Sequence, residues 1–412
     1  MTRARSGILT RDFLLLLGAT IGALSNYAPL LSVVPLWVAS GGVSGAGIGA
    51  TTGIMMGATA LTQLAMAPLF RLLTLRQMLA AGALVMAVST PGYALSTALP
   101  PVLVVSAVRG VGFAMVVVAG AALVAELVPG RLLARGTGIY GLAAGLPNLL
   151  SLPAGVWLAQ EVGFVPVFLG TTVLALAAVP LAWGMSGGRR HIERAPATAD
   201  GRATVADDRP ATPAGGRADR PARAAGRRGG LRPLLPPALV FFGTTVALGG
   251  AMTFLPLAIP QAATASLALF ALSGGMISGR FAAGTVGDAL GAGRLLVPAA
   301  VVSAAGMAVL AGAGWAAAPG WAAIGGATLF GLGLGAVQND SLVLILNRAG
   351  PGGHGTASAV WNFAYDAGTG AGAVLLGVVV GAAGHPWAFA TAAALILLAA
   401  PAGRRAQVRP AP

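Results

Sequence analysis

Four charged residues sit where charge is costly. Arg109, Arg280, Asp340 and Asp366 fall inside long apolar runs rather than in the polar stretches between them. At the rise of an α-helix, Arg109 and Arg280 lie about 12 Å, Asp340 about 10 Å and Asp366 about 16 Å from a run end. A charge in such surroundings needs a partner, water or, for an acid, a proton. Two kinds of chemistry follow. Arg280 can form a structural ion pair with Asp340, nearest in depth, or with Asp366. Alternatively Asp366, and after it Asp340, can exchange a proton. Arg109 can meet an anionic ligand or a structural acceptor. Around the deepest acid, Trp361, Asn362, Tyr365 and Asp366 make two i, i+4 pairs on adjacent helix faces. Aromatic and polar groups side by side suit a cavity for an amphipathic organic molecule. Asn26 with Tyr27, Asn148, Thr244 with Thr245, and Gln338 with Asn339 can line that cavity or bond helix to helix.

The elements that must hold these residues are membrane helices. The chain is 56% hydrophobic and 9% charged, against about 25% charged in a typical soluble domain. Apolar runs of about 20 residues, the length that crosses a bilayer, recur six times from Phe13 to Met185 and six times from Leu235 to Ala400. Residues 1–186 and 234–412 are therefore expected to form two bundles of six helices. Residues 187–233 between them are rich in Arg, Ala, Pro, Gly and Asp. They lack the apolar surface to offset ordering, so a disordered linker is expected. The net charge is +14, and all 25 basic residues are Arg. Apart from Arg109 and Arg280, they fall at both termini, in the linker and in alternate loops, while the intervening loops near Gly41, Leu99, Gly163, Gln261, Pro319 and His385 carry none. This alternation places both termini and the linker in the cytoplasm of a protein of the cell membrane.

Several functions are excluded by what is missing. The arginines are absorbed by topology, which removes the case for nucleic-acid binding. There is no Cys, and His191, His354 and His385 have no metal-ligand spacing. Without Lys there is no nucleotide-binding loop, so the energy source is expected to be a proton gradient and no cofactor is called for. The sequence Gly331-Leu332-Gly333-Leu334-Gly335 lies inside a membrane run with no strand before it. No nucleophile is paired with a base, so an enzyme is not expected.

Glycines recur at four-residue steps: Gly45, Gly49, Gly53 and Gly57 in the second run, and Gly275, Gly279, Ala283 and Gly287 in the eighth. Gly141 with Gly145 in the fifth and Gly368, Gly372, Gly377 and Gly381 in the eleventh extend the pattern. Such stripes let helix backbones approach closely. With six runs on each side of a long loop, the chain resembles the major facilitator superfamily. After the eighth run, Gly284-Thr285-Val286-Gly287-Asp288-Ala289-Leu290-Gly291-Ala292-Gly293-Arg294 is similar to the family's loop motif of Gly, Asp, Gly and a basic residue. The resemblance implies a conformational latch made by Gly284, Asp288, Gly291 and Arg294, with Arg280 above them. The equivalent first-half loop, Arg71 to Arg76, lacks the Asp and both glycines. Arg109-Gly110-Val111-Gly112 is similar to the family's Arg-led motif. Gly141 to Pro147 with Pro153 to Gly155 resembles its Gly/Pro-rich antiporter motif.

The resemblance implies a secondary active transporter of small molecules that works by alternating access, with proton-driven export of a drug or metabolite as the leading expectation. An importer, either a proton symporter or a uniporter, is the alternative, and a non-transporting membrane sensor or scaffold is a third. The expected partners are a small-molecule substrate, protons and the bilayer, and the expected state is a monomer. If residues 187–233 only join two bundles, shortening them while keeping the flanking arginines leaves transport in vesicles within about twofold of normal, since flexible loops tolerate length changes. Loss of transport with normal membrane insertion would give the segment a further role.

Overall fold

The computed structural model describes residues 8–129, 132–186, 231–350 and 353–406. At Ala67, Ala134, Asp288, Ala289, His354, Arg405 and Ala406 only the backbone is described. Apart from Leu231, Arg232 and Pro233, the expected linker lies outside these residues.

The described residues form thirteen α-helices and one 3-10 turn, with no strand. In chain order they are α1 (Arg11–Ser40), α2 (Gly45–Leu64), α3 (Met66–Leu72), α4 (Leu75–Ser89), α5 (Leu99–Leu127), α6 (Leu133–Glu161) and α7 (Phe164–Trp183). After the linker come α8 (Leu235–Ala258), α9 (Ala262–Leu290), α10 (Leu296–Trp315), α11 (Gly320–Ala349), α12 (His354–Ala383) and α13 (His385–Ala406). Eleven of the helical segments are long and apolar enough to cross a membrane, counting α4 with its 3-10 continuation Thr90–Leu95 as one. The second expected run is α2, which hydropathy does not flag. It is rich in glycine and threonine and packs against α5 on one side and α12 on the other, with Gly45, Gly49 and Gly53 against α12 and Thr59 bonded to the Gly110 carbonyl of α5.

Local chemistry sets several helix ends. Thr10 accepts from the Phe13 amide at the start of α1, and Thr74 with Gln77 forms a reciprocal cap on α4. At the end of α9, Gly291 (φ 91°) and Gly293 (φ 87°) take left-handed backbone conformations that explain glycine in this turn.

Within the amino-terminal half, α1 packs on α6 and α7, and α5 on α2 and α4. Within the carboxy-terminal half, α11 packs on α9 and α10, and α8 on α12 and α13. The halves meet through α2 with α12, α6 with α9 and α1 with α8. At the end that lacks arginine the fit is close. Ser32 donates to the Met252 carbonyl at 2.5 Å, and the Thr52 and Thr253 hydroxyls lie 3.1 Å apart. A Cβ on Gly45 would sit 3.0 Å from the Gly381 Cα, and one on Gly49 would fall on the Ala373 carbonyl. Toward the arginine-bearing end the stripe loses contact: a Cβ on Gly57 would meet nothing within 4 Å. So the glycine contacts of α2 with α12 run from Gly45 to Gly53 and end before Gly57.

The other glycine stripes behave differently from a uniform seam. Gly275 and Gly279 face the α11 backbone inside their own half, and Gly368 and Gly372 face α8 in theirs. Gly141 and Gly145 face open space. A Gly279→Val side chain would collide with the Leu332 main chain, so it is expected to destabilise the protein by about 1–3 kcal/mol through overpacking. Gly57→Val should change stability by less than about 1 kcal/mol. Thermal melting of the two purified variants checks this, and equal losses would contradict the division of the stripes.

Candidate functional site

Asp366 lies near mid-length on α12 and is 4% exposed. Its Oδ2 accepts a 2.9 Å hydrogen bond from Nε2 of Gln63, near the end of α2 in the other half. Gln63 follows Met56 by seven residues, so both share the α2 face whose Met56 touches Gly370 of α12. The bond therefore spans the seam beyond its last glycine contact. No cation bonds to Asp366 among the described residues.

Tyr27 of α1 faces this acid from the amino-terminal half, within electrostatic reach of both Asp366 and Tyr365. Its ring stacks on Phe113 at 3.8 Å, and its buried hydroxyl has no partner. Across from it, Trp361 stacks on Phe241 at 4.7 Å and Tyr365 follows at 6.2 Å, which makes a ladder of three rings. The Trp361 indole N–H donates to Ser341 at 3.2 Å and fixes the ladder to α11. Gln338 is 2% exposed and its Oε1 has no partner. Arg280 of α9 is exposed, and its charge acts on Tyr365.

Arg109 is 1% exposed and sits in a different place. It donates to the carbonyl and the Oδ1 of Asn26, at 3.2 and 3.0 Å, and to the Tyr93 hydroxyl at 3.3 Å. Asn26 donates onward to Thr90 at 3.0 Å, and Tyr93 shares a 2.9 Å bond with Ser106. The guanidinium carbon lies 5.5 Å from the Tyr93 ring centre. The void beside these groups is about 10 Å³, room for a single water and no larger molecule. Neutral oxygens and a ring face satisfy this charge, so Asn26 and Arg109 form a structural network inside the amino-terminal half.

Other expected residues are also placed outside the central group. Asp340 is 3% exposed and accepts from the Gly293 amide at 2.8 Å, with the amides of Leu295 and Leu296 beside it at the start of α10. It holds the turn after α9 and is not bonded to Arg280. The pairing expected from depth fails because the carboxylate is turned to main-chain donors while Arg280 is directed toward Tyr365. Asn339 lies next to Gly284 near that same turn. Asn362 bonds to the Ser358 carbonyl of its own helix at 2.9 Å, and Thr245 to the Ala364 carbonyl at 3.0 Å. Asn148 is half-buried. Arg294 is exposed, and the Asp288 side chain lies outside the described residues. Of the other residues expected in the latch, Gly284 lies near the end of α9 and Gly291 in the turn after it. Gln63, Phe241, Ser341 and Tyr93 were not singled out from sequence. For Gln63 a signal was present: it is a long polar side chain one turn beyond a glycine stripe.

The arrangement sets a buried acid in a bond between the halves, with the Trp361 and Tyr365 rings on the same helix. Comparison with known proteins bears on the family and the fold. Residues 15–373 match the family model described as Major Facilitator Superfamily. The structure is similar to a bacterial homologue of the human lysosomal transporter Spinster in an inward-facing and unoccupied conformation, with a TM-score of 0.68 and 13% identity over 99% of this chain and 100% of that one. The occupied inward-facing form of that homologue gives a TM-score of 0.72 at 11% identity, over 97% of this chain and 98% of that one. The nucleoside transporter NupG gives 0.70 at 11% identity, over 96% of this chain and 99% of that one. No curated protein matches the sequence. With a multi-pass helical fold and a family match across most of its length, this chain belongs to the major facilitator superfamily of membrane transporters.

Proposed function

We propose that the protein is a proton-coupled exporter of a small organic compound, acting as a monomer in the cell membrane with both termini cytoplasmic. The observation that carries this reading is Asp366: a mid-helix acid, nearly closed to solvent, bound across the two halves by a neutral amide. An ionised carboxylate accepts a charge-assisted bond from Gln63, and a protonated one accepts a weaker bond. Gain or loss of one proton thus changes the strength of a tie between α2 and α12 beyond their last glycine contact. That supplies the differential stability through which a proton can bias an alternating-access equilibrium.

Two further features support the reading. Arginine-bearing ends face the cytoplasm under the positive-inside rule, so the tight fit among Ser32, Met252, Thr52 and Thr253 closes the outer end and leaves a conformer open inward. The Spinster homologue to which the fold is similar was captured inward-facing. Export rather than uptake is favoured by the Gly/Pro-rich stretch of α6, which carries Pro147 and Pro153 inside the helix, with Gly155 fitted against Pro29 of α1.

Replacing Asp366 by Asn keeps the size and the bond to Gln63 but removes the exchangeable proton. In vesicles with an imposed pH gradient, Asp366→Asn should reduce gradient-driven transport to the level of vesicles without protein. Membrane insertion and substrate exchange without a gradient should persist. Full gradient dependence in this variant would sink the proton-coupling role.

A further inference from the structure

We propose that the compound bound between the halves is an aromatic or otherwise flat oxyanion, a carboxylate or a phosphate ester, whose charged end is held by Arg280. The inference rests on the transport reading and adds a substrate class to it. It follows from what each mid-span charge already does. Arg109 is consumed by Asn26 and Tyr93 beside a void of about 10 Å³, which admits no ligand. Asp340 is turned to the Gly293 amide. Asp366 is 4% exposed and engaged by Gln63, so little of its surface is open to a ligand.

Arg280 differs from all three. Among the described residues its guanidinium has no hydrogen bond and no ion pair, and its side chain is exposed even though it lies on the interior part of α9. It does not point at lipid: Met276 and Ser273, four and seven residues earlier on the same face of α9, are buried. The unanswered cation thus lies on an inward face of a helix that packs against α6 of the other half. A guanidinium presents a fork of N–H donors that fits carboxylate and phosphate oxygens two at a time. On α12, the Trp361 and Tyr365 rings lie 16° from parallel and are fixed by the indole bond to Ser341. Such a wall suits a flat apolar body. A cationic ligand would instead meet the unpaired Arg280 and be repelled by it.

The test uses the full-length protein in lipid nanodiscs. The probes are naphthyl and indolyl compounds, each ring carried in four forms: carboxylate, phosphate monoester, primary ammonium and neutral amide. Affinity is read from the ligand-dependent rise in melting temperature. The expected result is that the carboxylate or the phosphate binds at least about tenfold more tightly than the ammonium and amide forms of the same ring. Arg280→Gln should weaken oxyanion binding about tenfold and leave the amide unchanged, and Arg280→Lys should recover part of the loss. Ammonium or amide forms that bind as well as the oxyanions would overturn the inference and leave the transport reading standing. So would unchanged oxyanion binding in Arg280→Gln. Absence of binding by every form would count against both.

Discussion

A charge inside a bilayer has no bulk water to answer it, and the chain must provide the answer itself. Four mid-span charges meet this constraint in four ways. A cage of neutral oxygens and a tyrosine face surrounds Arg109. The Gly293 main-chain amide, in the turn before α10, holds one oxygen of Asp340. One amide from the opposite half reaches Asp366. Arg280 is left with no bonded group among the described residues. The first two answers lie inside one half each, and they stiffen that half: one ties α1, α5 and the 3-10 turn, the other ties α11 to the turn between α9 and α10. The last two lie where the halves face each other, and only there can an answer change with conformation.

The division between rigid and changeable parts extends to packing. Close glycine contacts hold α9 to α11 and α12 to α8, and these interfaces contain backbone against backbone. Little can shift there without unmaking the half. Between halves, α2 and α12 also meet backbone to backbone at Gly45 and Gly49, and hydrogen bonds from Ser32, Thr52 and Thr253 at one end and from Gln63 at the other add to that contact. Hydrogen bonds of this kind contribute about 1 kcal/mol each, an amount that a proton or a ligand can counter.

Much of the fold was legible in the sequence because its signal is periodic and redundant: apolar runs of bilayer length, and arginine in every second loop. Only α2 escapes the hydropathy measure, since its glycines and threonines are there for neighbours and not for lipid. The site was less legible, for identifiable reasons. Depth along a helix suggested pairing Arg280 with Asp340, but depth says nothing of direction around the helix. The partners of Asp340 are main-chain groups, which carry no residue signature. Gln63 and Asp366 are separated by 303 positions, and their contact depends on how two helices cross. Asn26 was singled out as a polar residue, but its neighbours Thr90 and Tyr93 sit in a turn that breaks the helical spacing on which the reading relied.

The seam between α2 and α12 has one more property. Its glycines on α2 come every four residues, and α12 answers with glycine at 370, 377 and 381. A surface built of equal steps does not define a unique alignment. Sliding α2 by one turn, about 5.4–6 Å, would bring Gly57 to the place Gly53 now occupies and meet much the same backbone contour. The side chains beside the stripe break that degeneracy: the same slide would carry buried Met56 to the place of Thr52 and end the Thr52–Thr253 contact, so the register of the seam is held by its side chains and not by its glycines.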